Sequence, residues 1–293
     1  MGLFAIISAL SAISHAGSLN LTVVLSESGG AYLDYSNALG AQLKNGNVKL
    51  TVIDVDTPLP DSDLVIAAGM QAALTVARSK PAAMLAVLIP REGYARLLNE
   101  FPAQAKAGEL SSIYLDQPLK RQLDLIAAVL PDTGSIGVLY SSPPKELGTL
   151  RMLAKARKLE VIERSTASAS SLHAALQELL QGSDVLLALP DLGIYNTSTI
   201  RNILLETYRS KVPLIGFSPA YVKAGALCAV FSTPEQIASQ SLVIIREFAE
   251  TRVLPAAQYA KEFEVSVNEQ VARSLGLIIK SATQVRSEMG AAP

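Results

Sequence analysis

The chain has one cysteine, two histidines and no tryptophan, and each shortage closes off a class of function. A single cysteine excludes an internal disulfide and a cysteine-rich metal site. Cys228 lies inside an apolar run, where a buried structural thiol is expected. His15 falls in the N-terminal segment, and His173 sits among alanines and leucines of an expected helix over 170–180. A histidine-activated nucleophile would therefore depend on His173 alone, far from any strand end. No HExxH, no Walker loop and no GxGxxG after a strand is present, and Ser28-Gly29-Gly30 lacks the spacing of a dinucleotide fingerprint. No grouping of Asp, Glu, His or Cys has metal-ligand spacing. The expectation is a protein without catalytic residues, metal or cofactor.

Charge of either sign is also short. Lys and Arg number 25 against 26 Asp and Glu, a net charge of −1, which leaves no basic field for nucleic acid or an anionic membrane. What the chain has instead is apolar content, 49 % of residues, enough for a large core. Its 293 residues suggest about two domains. Residues 3–12 form an apolar block too short to span a bilayer, and Ser14-His15-Ala16 places small residues where signal peptidase reads. No Lys or Arg precedes the block and no Cys follows it. The reading is a signal peptide over 1–16 and a soluble, exported chain without a lipid anchor from Gly17.

The stretch 183–231 shows how the rest is organised. Residues 185–189 are an apolar run of strand length closed by Pro190-Asp191. Ile200, Ile203, Leu204 and Tyr208 then recur at the spacing of a helix laid on a sheet. Residues 212–217 give a second buried strand, Ser218-Pro219-Ala220-Tyr221 a loop, and 225–231 a third strand. Polar residues just past the ends of parallel strands lie where open α/β sheets bind ligands. The same βα alternation runs through the first half, with strands expected at 19–25, 49–55, 64–68, 84–89 and 112–115, and helices at 32–43, 71–77 and 94–99. The second series has strands at 135–140, 160–163, 184–189, 212–217 and 227–231, separated by helices at 145–157, 170–180 and 199–211. Helix 119–130 precedes this series. Two series of about 115 residues imply two similar lobes facing across a cleft. A long helix follows over 234–252, then a strand at 263–267, a short helix at 269–275, and a polar, Ala-rich tail over 280–293 expected to fray.

The segment VPLIGFSPAYVKAGALCAVFSTPEQIASQ (212–240) resembles the periplasmic substrate-binding components of ABC transporters, in the group with tryptophan- and tyrosine-binding members. PLKRQL (118–123) with IGVLY (136–140), AAGMQAA (67–73) and VNEQVARSLGL (267–277) extend the resemblance over roughly residues 64–277. Met70 and Gln71 stand where relatives often carry a small residue and a threonine. The resemblance implies an α/β fold of two Rossmann-like lobes with parallel sheets around a ligand cleft, the type I periplasmic binding fold. It implies lobe 1 over 17–115 and 232–293 and lobe 2 over 116–231, with crossings near Asp116, near Phe231 and before Phe263. It further implies a monomeric, periplasmic solute-binding component of an ABC importer. That component would bind a small solute, such as an amino acid or related compound, and dock on inner-membrane permease subunits. A sensing module that signals to a membrane receptor or kinase would use the same cleft.

The candidate ligand-binding residues are the polar and aromatic side chains past strand ends: Ser26, Ser28, Gln71, Gln117, Tyr140, Asp191, Tyr195, Asn196, Ser218 and Tyr221. Hydroxyls and helix N-termini suit a solute carboxylate. Asp191 suits an ammonium, and tyrosines stack on an apolar side chain. Each has a plainer role available. Asp191 after Pro190 fits a turn or cap, Tyr195 and Tyr221 fit packing between lobes, and Ser218 fits the cap of a helix starting at Pro219.

Overall fold

The computed structural model describes residues 18–44, 47–166, 169–191 and 193–290. The expected signal segment over 1–16 lies outside them. The first half runs β1 (Leu19–Leu25), α1 (Gly30–Leu43), β2 (Val48–Asp54), β3 (Leu64–Ala68), α2 (Met70–Arg78), β4 (Met84–Ile89), α3 (Arg91–Glu100), α4 (Pro102–Ala107) and β5 (Leu110–Tyr114). The second runs α5 (Leu119–Val129), β6 (Ser135–Tyr140), α6 (Leu147–Ala156), β7 (Glu160–Ser165), α7 (Ala169–Gln181), β8 (Val185–Leu187), α8 (Ile200–Arg209), β9 (Leu214–Gly216), α9 (Pro219–Ala224) and β10 (Cys228–Phe231). The remainder is α10 (Pro234–Thr251), β11 (Gln258–Tyr259), β12 (Glu264–Val267), α11 (Glu269–Leu275) and α12 (Ala282–Glu288).

These elements build two six-stranded sheets, ordered β11-β5-β4-β3-β1-β2 and β12-β10-β9-β8-β6-β7. Every pairing is parallel except β10 with β12. Alternate residues of one strand feed different cores, which is why central strands such as β3 and β4 read as unbroken apolar runs. On β1, Leu21, Val23 and Leu25 enter the core shared with α1 and α10, while Val24 enters the core shared with α2 and α3. The second sheet is covered by α5 and α6 on one side and α7 and α8 on the other. Helix α10 starts with a capping box between Thr233 and Gln236. It docks on α1, where the buried Tyr35 hydroxyl donates to Ser241 Oγ at 2.8 Å.

The C-terminal region departs from expectation. Residues 232–293 were assigned wholly to the first lobe, yet β12 pairs with β10 of the second sheet. Phe263, Val265, Ala272 and Val285 are buried in the second lobe's core. Among the described elements of this region, α10 and β11 alone belong to the first lobe. Nor does the tail fray at once: Ser281 and Gln284 form a capping box that starts α12, and its Val285 is fully buried. Regular pairing in β8 and β9 covers three residues each, so the flanking residues run on as chain into the loops at the sheet edge.

Candidate functional site

The strand ends of the two lobes face each other. Arg91, just past β4, forms an ion pair with Glu146, which lies beyond β6 in the other lobe. Tyr259, at the end of β11, donates to the same Glu146 at 3.0 Å. Expected site residues fall along both edges and in the hinge between them.

On the first lobe, Ser26 Oγ accepts from the Ala72 N–H at 2.9 Å, closing the first turn of α2. The turn before that helix needs glycine. Gly69 has φ +93°, and a Cβ there would stand 2.5 Å from Ser26 Oγ and 2.7 Å from the Tyr32 ring. Gln71 is exposed in the first turn of α2. Ser28 donates to Asp54 at 2.9 Å, toward the β2 edge.

On the second lobe, Asp191 laces two loops together. Its carboxylate accepts from the Ser141 N–H at 2.7 Å, the Ser141 hydroxyl at 2.9 Å and the Gly193 N–H at 2.8 Å. Beside it stands a wall of three rings. Phe217 and Tyr221 have centroids 4.3 Å apart, and Tyr195 meets them edge-on at 6.3 and 6.5 Å. The Tyr221 hydroxyl donates to the Tyr195 carbonyl at 3.1 Å. Tyr195 is buried, and its own hydroxyl has no hydrogen-bond partner among the described residues. Burial pushes that phenol's pKa far up, with Tyr221 and Asp191 adding to the effect. Ser218 sits at the N-cap of α9 and makes no side-chain cap bond. Asn196 caps the approach to α8 through Ser198 and Thr199. Tyr140 turns to the sheet edge, its hydroxyl donating to Glu163 at 3.3 Å.

Gln117 belongs to the hinge. The chain passes between sheets around residues 115–118, 231–233 and 260–263, and side chains tie these crossings together. Gln117 Nε2 donates to Ser232 Oγ at 2.9 Å, and Ser232 Oγ donates to the Glu262 carbonyl at 2.6 Å. Arg121 donates to Gln117 Oε1 at 2.5 Å and to the carbonyls of Ala260 and Lys261 at 3.1 and 3.2 Å.

A family model described as ABC transporter substrate binding protein matches residues 34–289. The chain belongs to this family. A tyrosine-binding protein of Clostridioides difficile is 24 % identical over 223 residues, 74 % of this chain and 63 % of that relative. The ABC domain in complex with L-Trp from Streptococcus pneumonia superposes with a TM-score of 0.63 at 18 % identity, covering 94 % of this chain and 99 % of that one. A ligand-free, open substrate binding protein with adhesive properties from Clostridium difficile gives 0.67 at 15 %, covering 90 % and 96 %. These structures carry the type I periplasmic binding fold, and so does this substrate-binding protein. Among the described residues no cluster of His, Cys, Asp or Glu is placed to hold a metal ion, and no helix is long and apolar enough to cross a membrane.

Arg91, Tyr114, Asp116, Glu146 and Tyr259 were not among the expected site residues. Arg91 follows Pro90 at a strand end, so the rule that selected Ser26 applied equally to it. Asp116 accepts from the Arg91 backbone N–H at 2.5 Å. Burial raises its pKa to about 6 against the opposing pull of Arg91, and Glu92 adds to the rise. Because the folded chain holds this proton more tightly than the unfolded one, ionised Asp116 is destabilising at neutral pH, and stability is gained as pH falls from about 6 toward 3.8. Asp116→Asn, which keeps an acceptor for Arg91, is therefore expected to raise the unfolding midpoint at pH 7–8. The advantage over wild type should shrink below pH 6 and vanish near pH 4. Paired thermal melts across that range check it, and a pH-independent difference would exclude the effect.

Proposed function

We propose that this protein is the solute receptor of an ABC importer. In this reading it works in the periplasm as an exported, soluble monomer, binds one aromatic amino acid or related compound between its lobes, and presents the closed form to permease subunits. No bond in the solute is made or broken; solute contacts from both lobes stabilise the closed form. The observation that carries the reading is the second-lobe edge, where an aromatic wall with an unpartnered buried tyrosine hydroxyl stands beside a fixed carboxylate. Rings suit an aromatic side chain, and Asp191 suits an ammonium. The three donors counted on that carboxylate leave room among its roughly four acceptor positions for a fourth. A tyrosine-binding relative and an L-Trp complex of the same fold support the ligand class.

Thermal unfolding of the exported chain, refolded to remove carried-over solute, tests this against amino acids, nucleosides and small organic acids. A solute at 100 times its Kd stabilises by about 2.7 kcal/mol, a rise of roughly 5 °C for a chain this size. Shifts confined to aromatic amino acids support the reading, and a flat panel counts against it. Tyr195→Phe sharpens the test. Deleting an unpartnered buried hydroxyl should leave the solute-free protein equally stable or up to about 1–2 kcal/mol more so. Affinity for the solute found in the panel should fall about tenfold if that hydroxyl is the solute's partner. Unchanged affinity would assign Tyr195 to packing alone.

A further inference from the structure

Arg91 and Tyr259 converge on one oxygen of Glu146 across the cleft, and they do so from a prepared surface. Tyr259 and Arg91 stand at the strand ends on either side of β5, because β5 lies between β11 and β4 and its Tyr114 pairs in register with both Tyr259 and Ile89. The Tyr259 ring is held edge-on by Tyr114 at 5.1 Å, which in turn leans on Tyr94 at 5.9 Å. The Arg91 backbone is held by Asp116. None of these supports involves the second lobe, so the Tyr259 ring and the Arg91 backbone are placed by the first lobe itself.

Glu146 is placed to fill it. The residue is the N-cap of α6, yet its side chain makes no cap bond to that helix; it reaches across to the other lobe instead. An ion pair between side chains 47 % and 32 % exposed would by itself bias a lobe equilibrium little. The second donor on a ring fixed by its neighbours gives the contact geometry as well as charge. We propose that Arg91 and Tyr259 form a carboxylate receptor on the first lobe, and that Glu146 occupies it as an internal ligand, latching the lobes together when no solute is bound. A small carboxylate entering the cleft competes with Glu146 for this receptor.

The latch is tested without any solute, so its failure is separate from failure of the solute-binding role, whose panel reads a different quantity. Nitroxide labels at Val243→Cys on the first lobe and Met152→Cys on the second, both on exposed helix positions, report the inter-lobe distance by pulsed electron resonance; Cys228 is fully buried and stays unlabelled. The solute-free protein is expected to show a dominant short distance. Glu146→Ala, which breaks no helix cap, should move most of the population to a longer one, and Tyr259→Phe should move part of it. The exchanged pair Arg91→Glu with Glu146→Arg should restore the short distance. Acetate should shift the wild type toward the Glu146→Ala distribution more than chloride at equal ionic strength. Superimposable distributions for wild type and Glu146→Ala overturn the latch, and equal effects of the two salts overturn the carboxylate receptor.

Discussion

Phe263→Ala is expected to lower the stability of the second lobe by about 4 kcal/mol, the largest single effect among the substitutions considered. The ring is 2 % exposed and belongs to the second core, where deleting a phenylalanine side chain typically costs about 3–5 kcal/mol. It is also held between two guanidinium groups, Arg286 at 3.7 Å and Arg121 at 4.3 Å from the ring centroid. Arg286 Nε donates to the Phe263 carbonyl at 2.9 Å, and Arg121 donates to the carbonyls of Ala260 and Lys261 in the crossing that leads to it. Burial lowers the Arg121 pKa, with Arg286 contributing, so the ring separates two like charges and loses contact with both when truncated. The expected fall in midpoint is roughly 7–8 °C. Because Phe263 ends the third crossing, the variant should also widen the inter-lobe distance distribution, whereas Phe248→Ala in the first core should destabilise without widening it. A Phe263→Ala protein that melts within 2 °C or so of wild type would remove the clamp from the account.

The long elements were legible in the sequence because the central strands are apolar toward two cores at once. Runs such as Met84–Ile89 and Leu64–Ala68 carry no polar residue, and helices such as α10 place Ile237, Ser241, Ile244, Ile245 and Phe248 on one buried face. What escaped notice is short or depends on a partner far away in sequence. Helix α4 has six residues and β11 has two, too few for a period to register, and α9, also six residues, was legible only through Ser218-Pro219 as a cap and helix start. The return of 264–288 to the second lobe rests on an antiparallel pairing of Val265 with Val230 that nothing local announces.

At the site, residue type was a better guide to position than to role. Gln117 and Ser232 carry the polar character of a binding loop, yet they bond each other in the hinge. Tyr140 ends a strand like the others but faces Glu163 of the edge strand. Arg91 and Glu146 escaped because each reads locally as an ordinary solvated charge near a helix start; only the meeting of the two lobes makes them partners. The same meeting ties latch and hinge into one mechanism. The hinge bonds join the crossings themselves, while Arg91 and Glu146 lie outside them, so opening can break the second contact and leave the first.

Asp191→Ala is expected to weaken solute binding about a hundredfold while costing the solute-free chain only about 1 kcal/mol. The two effects differ because the donors differ in surroundings. Ser141 N–H, Ser141 Oγ and Gly193 N–H meet the carboxylate at an exposed edge, where water replaces a lost acceptor cheaply. A solute ammonium held in a closed cleft has no such replacement, and a charge-assisted bond there contributes about 1.5–3 kcal/mol. Asp191→Asn should behave almost like alanine, since its amide must turn N–H toward one of the backbone donors and the charge is gone. Ser141→Ala keeps the backbone donor and removes one hydroxyl, so a loss near tenfold is expected. Calorimetric titration with the solute found by thermal screening, and with its analogue lacking the amino group, separates recognition from loop order. If Asp191 holds the ammonium, wild type should discriminate strongly against the analogue and Asp191→Ala should not. Equal discrimination by both proteins would leave Asp191 as the lacing between the loops after β6 and β8 and place the ammonium elsewhere in the cleft.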